Sequence, residues 1–172
     1  MPEAADGAVV WITGLSGVGK SAVGAHLRDL YLAEFGVLPV VLDGDQLRRA
    51  YPQTLGYGER DRRLLAASYG RLAYSLAVQG HLVIVCTISL FHDVQAWNRH
   101  NIPSYREVLL LAPDSELTRR GGERTYLPSP LGEGVTAPEF PLAPDLTINN
   151  WGATSAAAAA SLIFSHSETA RG

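Results

Sequence analysis

Cysteine is almost missing from the 172 residues: Cys86 stands alone. One thiol closes no internal disulfide, which excludes a disulfide-stapled scaffold and fits a reducing, cytoplasmic setting. Lysine is equally scarce, since thirteen of the fourteen basic residues are arginine and the one lysine is Lys20. An excess of positive charge is missing too. With a net charge of −3 the chain has no field suited to a nucleic acid polymer or to an anionic membrane surface. Long hydrophobic runs are also absent. The stretch Ala153–Phe164 is interrupted by Thr154, Ser155 and Ser161 and falls well short of the ~20 residues that span a bilayer. The opening residues Met1–Asp6 carry acid where a secretory signal carries lysine or arginine. The five histidines have no metal-ligand spacing with Cys86, which argues against a zinc site.

The chain does have a core. Apolar residues make up 47%, which excludes general disorder, and the length suits a single domain over 1–172 with flexible ends at about 1–7 and 166–172. Short runs rich in Val, Ile and Leu at Ala8–Thr13, Leu38–Leu42, Leu82–Cys86, Val108–Ala112 and Leu146–Ile148 read as strands covered on both faces. Between them, helical patterns fall at Lys20–Phe35, Glu59–Gln79, His92–Arg99, Asp114–Arg120 and Thr154–Ser165, with a short helix at Gln46–Ala50. This alternation predicts an α/β fold of three layers around a parallel central sheet. In the second long helix, Leu64, Leu65, Leu72, Ala73 and Leu76 form the expected core stripe. From Gly121 to Pro144, prolines at 128, 130, 138, 141 and 144 remove any periodicity. An irregular stretch of that length reads as a lid-like segment.

The sharpest signal is Gly14-Leu15-Ser16-Gly17-Val18-Gly19-Lys20-Ser21, a G-x-x-x-x-G-K-S phosphate loop placed after a strand and opening a helix. Backbone N–H groups of Gly14, Ser16, Gly17, Val18 and Gly19 would cradle the phosphates of ATP. Lys20 would reach their oxygens, and the Ser21 hydroxyl would ligate Mg²⁺. The pattern is that of a P-loop NTPase. A GTPase needs lysine in its base-reading motif, and the one lysine is already used. The second strand instead runs into Asp43-Gly44-Asp45, two carboxylates at the edge where open α/β sheets bind ligands. One acid can hold a metal or its water, and the other can accept a proton from an attacking hydroxyl. A plain Asp-capped turn is the alternative reading of the same residues.

Taken together, the phosphate loop, Leu42–Arg48, Leu55–Arg62, Gly80–Ser89 and Gly134–Pro141 resemble the adenylylsulfate kinase family in kind and order, over nearly the whole chain. The resemblance implies a nucleotide-kinase-like fold and transfer of the ATP γ-phosphoryl to the 3′-hydroxyl of a small nucleotide-linked acceptor, most simply adenylylsulfate. It implies that Lys20 stabilises the transferring group and that Asp43 is the general base, with Asp45 an orienting or metal-shell acid beside Ser21. Arg119 falls on the ATP side. Arg48 and Arg62 become ligands of acceptor anions, Tyr57 and Phe91 flank the acceptor base, and Ile88 and Ser89 supply further contacts. A homodimer is compatible with it.

Departures gather on the acceptor side. The family's asparagine and basic residues after the E-D-R arginine are Leu65, Ala67 and Ser68, its proline after Ile-Ser is Leu90, and its lid element is replaced by Arg119–Tyr126. The stretches Cys86–Phe91 and Trp97–Glu107 look closer to a divergent branch that includes cytidine diphosphoramidate kinases. A non-catalytic nucleotide-binding module is the alternative from another class, and a carboxylate poised for an acceptor hydroxyl argues against it.

Overall fold

The computed structural model describes residues 7–51, 55–121 and 137–169. Five strands, β1 (Ala8–Thr13), β2 (Val40–Asp43), β3 (Leu82–Cys86), β4 (Tyr105–Leu111) and β5 (Leu146–Asn149), form one parallel sheet in the order β2-β3-β1-β4-β5. The helices described between and after them are α1 (Lys20–Phe35), α2 (Gly44–Ala50), α3 (Glu59–Ala77), α4 (His92–Asn101), α5 (Asp114–Arg119) and α6 (Ala156–Thr169). This is the three-layer P-loop α/β fold.

The layers follow from the strand pleat, which sends alternate side chains to opposite faces. Val10, Ile12, Ile84, Val108 and Leu110 pack with α1, α5 and α6, whereas Val9, Trp11, Val83 and Val85 pack with α3. Each such side chain taken fully out of water contributes about 1.5–3 kcal/mol, so both faces of β1 and β3 are strongly held. On α1, a Cβ at Gly24 would lie 2.4 Å from the Cys86 sulfur. The bare glycine therefore lets the helix after the phosphate loop sit close against β3.

Several boundaries differ from the sequence expectations, each for a physical reason. β2 begins at Val40 because Pro39 has no N–H for a ladder. β4 begins at Tyr105, earlier than its apolar run, because the polar residue it takes in has tertiary partners: Glu107 receives bonds from Tyr105 (3.0 Å) and Arg99 (3.4 Å). In α3 the buried face is Leu65, Ala66, Tyr69, Gly70, Ala73 and Ala77, while Leu64 and Leu72 are exposed. Where a frayed end was expected from His166, α6 continues to Thr169, with Ser167 buried and bonded to the Ile163 carbonyl (2.9 Å). No helix among the described residues is long and apolar enough to cross a membrane. Of the lid-like segment, 122–136 lies outside the described residues.

Candidate active site

Parallel strands bring the chain segments after β1, β2 and β3 to one edge of the sheet. There a cavity of about 680 Å³ is lined by Ser16, Gly17, Gly19, Lys20 and Ser21 from the phosphate loop, by Asp43 at the end of β2 and Asp45 after it, and by Ile88, Ser89 and Phe91 after β3. Arg48, Tyr57 and Arg62 line it as well. Thirteen of the residues singled out from sequence thus share one cavity. Gly14 and Val18 support the loop from behind it, and Arg119 lies elsewhere.

The loop geometry explains its glycines. Gly17 (φ 82°) and Gly19 (φ 97°) hold left-handed backbone that side chains rarely adopt, and Gly19 is the N-cap of α1. Val18 is buried in the core, and its carbonyl accepts from Asn150 Nδ2 at 2.7 Å and Arg120 Nη1 at 3.4 Å. A Cβ at Gly19 would meet that same Asn150 amide at 2.7 Å. Lys20 Nζ donates to the carbonyls of Gly14 (3.1 Å) and Leu15 (2.9 Å). Burial lowers its pKa to about 8, against the opposing pull of Cys86, Asp45 and Asp43.

Asp43 and Asp45 differ in their surroundings. Asp43 caps α2, its Oδ1 accepting from the N–H groups of Asp45 (3.0 Å) and Gln46 (3.2 Å), and its Oδ2 accepts from the Ser21 hydroxyl at 2.5 Å. The capped-turn reading thus describes Asp43, and the same residue also lines the cavity. Asp45 is exposed to the cavity, and among the described residues no side chain hydrogen-bonds its carboxylate.

Arg48, expected to bind the acceptor, has a use that its type did not reveal. Its Nη1 donates to the carbonyls of Leu55 (3.0 Å) and Gly56 (2.9 Å), and its guanidinium lies 4.4 Å from the Tyr57 ring centroid. Asp61 accepts from the Gly56 N–H (2.7 Å), so the loop carrying Tyr57 is tied at two points. Arg62 lies 5.8 Å from the centroid of Phe91. Ser89 is buried with φ 32°, a strained non-glycine conformation, and its hydroxyl meets that of Thr87 at 2.8 Å. The Cys86 thiol is pushed up to about 12 by burial, which suits a packing role and not a nucleophile.

Arg119 was expected on the ATP side. Its side chain is 70% exposed and pairs with Glu116 (2.6 Å), and it is Arg120 that lines the cavity. In a doublet at a helix end, sequence alone does not say which arginine faces inward. Arg49, Tyr69 and Asn150 were also missed. For Asn150 the available signal was a polar residue just past the C-terminal end of a strand.

Residues 6–132 match the sequence model of the adenylylsulphate kinase family. The chain belongs to that family. It is accordingly an ATP-dependent phosphotransferase. This adenylylsulphate kinase family chain is 38% identical over 153 residues, 85% of each chain, to the adenylyl-sulfate kinase of Paraburkholderia xenovorans. It is 32% identical over 118 residues to the cytidine diphosphoramidate kinase of Campylobacter jejuni, covering 69% of this chain and 68% of that one. Among solved structures, the APS kinase of Mycobacterium tuberculosis in complex with AMPPNP and APS superposes with a TM-score of 0.79 at 32% identity, covering 95% of this chain and 98% of that one. A shikimate kinase from Acinetobacter baumannii shares the fold with a TM-score of 0.66 at 22% identity.

Proposed function

We propose that the chain transfers the γ-phosphoryl group of Mg-ATP to the ribose 3′-hydroxyl of adenylylsulfate. The observation that carries this reading is the sharing of one cavity by the phosphate loop and the Asp43–Asp45 turn, with Arg48, Arg49, Arg62 and Arg120 around them. A phosphoryl donor and an anionic acceptor can meet there, and arginine forks suit the acceptor's oxygens. Mg²⁺ retains several waters and takes few protein oxygens. The converging oxygens of Ser21 and Asp43 fit that need, so these two residues would hold the metal, which neutralises charge on the transferring phosphate.

The hydrogen bonds favour a division of labour opposite to the one the resemblance implies. Asp43 has three donors already directed at it, whereas Asp45 presents its carboxylate to the cavity. Asp45 therefore takes the proton of the attacking hydroxyl, and Asp43 orients Ser21 and the α2 turn. The kinetic contrast tests this. Asp45→Asn should lower kcat by about 10²-fold or more with little change in ATP affinity. Asp43→Asn should weaken nucleotide binding in a way that added Mg²⁺ partly restores, and should lower the melting temperature through the lost cap. Near-normal kcat in Asp45→Asn would return the base role to Asp43.

A second reading has its own support in the Campylobacter relative and in Leu65, an apolar wall residue of the cavity where the resemblance calls for asparagine. On that reading the acceptor is a cytidine diphosphate derivative.

A further inference from the structure

An ionic cluster outside the cavity surrounds Arg63, the neighbour of Arg62 on α3. Arg63 pairs with carboxylates from three parts of the chain: Glu59 one turn earlier (2.9 Å), Asp93 in the first turn of α4, and Glu139 before β5 (3.6 Å). Its guanidinium also lies 4.5 Å from the centroid of Phe91, closer than that of Arg62. Phe91 is 2% exposed and lines the cavity, while Arg63 does not.

Glu139 is fixed on the same wall. Its Oε2 accepts from the His92 N–H (2.5 Å), its own N–H donates to the Leu90 carbonyl (3.1 Å), and its carbonyl accepts from Gln95 Nε2 (2.9 Å). The residues immediately before and after Phe91 are thus both bonded to Glu139. By contrast, the apolar neighbours of the ring are small: Ala66, Ala67 and Val94. A planar guanidinium on the face of the ring and a backbone clamp on both sides hold it in one orientation. Single exposed ion pairs contribute little to stability, so a cluster of this kind matters through the geometry it imposes.

Building on the kinase reading above, we propose that Arg63 and Glu139 are positioning residues that lock Phe91 as the acceptor-side wall and so set acceptor affinity without touching the acceptor. Two measurements on the whole protein test this. In steady-state kinetics with ATP and adenylylsulfate, Arg63→Met should raise the acceptor KM by about tenfold with the ATP KM unchanged. Arg63→Lys should fall between, since it keeps the charge without the planar fork. The double variant Arg63→Met/Glu139→Gln should be no worse than its poorer single variant, because both act on one ring. Amide hydrogen exchange of the protein alone is the second measurement: Arg63→Met and Glu139→Gln should each speed exchange at His92 by about tenfold.

Unchanged exchange at His92 in both variants would overturn the proposal whatever the acceptor is. An equal rise in both KM values, together with a fall in melting temperature, would also overturn it by showing a merely structural role. If the unsubstituted protein leaves adenylylsulfate unphosphorylated while exchange at His92 rises as described, the acceptor reading fails and the lock on Phe91 stands.

Discussion

At the residue scale, Lys20 joins the chemistry to a measurable proton. Its pKa of about 8 arises from burial, which disfavours the ammonium. In the unfolded chain the value returns to 10.5, so between about pH 8 and 10.5 the unfolded state binds more protons than the folded one. The stability of the unsubstituted protein relative to Lys20→Met should therefore rise with pH across that window, as followed by chemical denaturation at successive pH values, while the raised Cys86 thiol lowers the stability of both proteins above about pH 9 and drops out of the comparison. The opposite holds for ATP. Phosphate oxygens favour the charged form, so binding above about pH 8 should take up a proton and weaken as pH rises. Calorimetry in buffers of different ionisation enthalpy reads that uptake directly. Loss of the ammonium should also cost at least about 10²–10³ in transfer rate while the fold persists, because its charge acts on the transferring group and its removal leaves no apolar gap. A relative stability that does not change with pH would mean that Lys20 is not buried as described.

At the element scale, the contact between α1 and β3 sets the position of the phosphate loop. Gly24→Ala would place a methyl group 2.4 Å from Cys86 Sγ, and overpacking of this kind costs about 1–3 kcal/mol. A lowered melting temperature, with relief in Gly24→Ala/Cys86→Ala, is the expected outcome. The same scale shows what a sequence can and cannot disclose. β1, α1 and β3 were legible to the residue because continuous apolar runs flank a glycine-rich loop whose backbone has few alternatives. The start of β4 was not, because the burial of Glu107 depends on Arg99, Tyr105 and an N–H bond from Glu107 to Asp145 (2.7 Å), and Asp145 lies far along the chain. For α3 the expected stripe was right in part: Leu65 and Ala73 meet the sheet together with Tyr69 and Ala77, whereas Leu64 and Leu72 are exposed and the small Ala66 and Gly70 face α4. Likewise, the motif exposed Asp43 and Asp45 but not the bond between Asp43 and Ser21, since Ser21 stands 22 residues away and meets it only in the fold.

At the scale of the whole molecule, the donor and acceptor halves of the cavity carry different kinds of information. The donor half is built largely from backbone geometry: left-handed glycines, a helix N-terminus, and a Val18 carbonyl held by Asn150 and Arg120. Such geometry tolerates little change, which is why the phosphate loop could be read from sequence alone. The half proposed to take the acceptor is built from side chains on α2, α3 and the segment after β3, where Leu65 and Leu90 stand in place of residues that the resemblance leads one to expect. Acceptor choice is therefore where the chain can differ from its relatives. A site discriminates between acceptors through kcat/KM, and polar groups left unpaired by the wrong acceptor enlarge the ratio. The most direct measurement is the kcat/KM of the purified protein with ATP for adenylylsulfate against cytidine diphosphoramidate, with the phosphorylated position assigned by ³¹P NMR. Acceptor-dependent ATP consumption that yields 3′-phosphorylated adenylylsulfate, at a kcat/KM at least about tenfold above that of the cytidine compound, is the predicted result. No adenylylsulfate-dependent turnover, or the reverse order of the two acceptors, would contradict it.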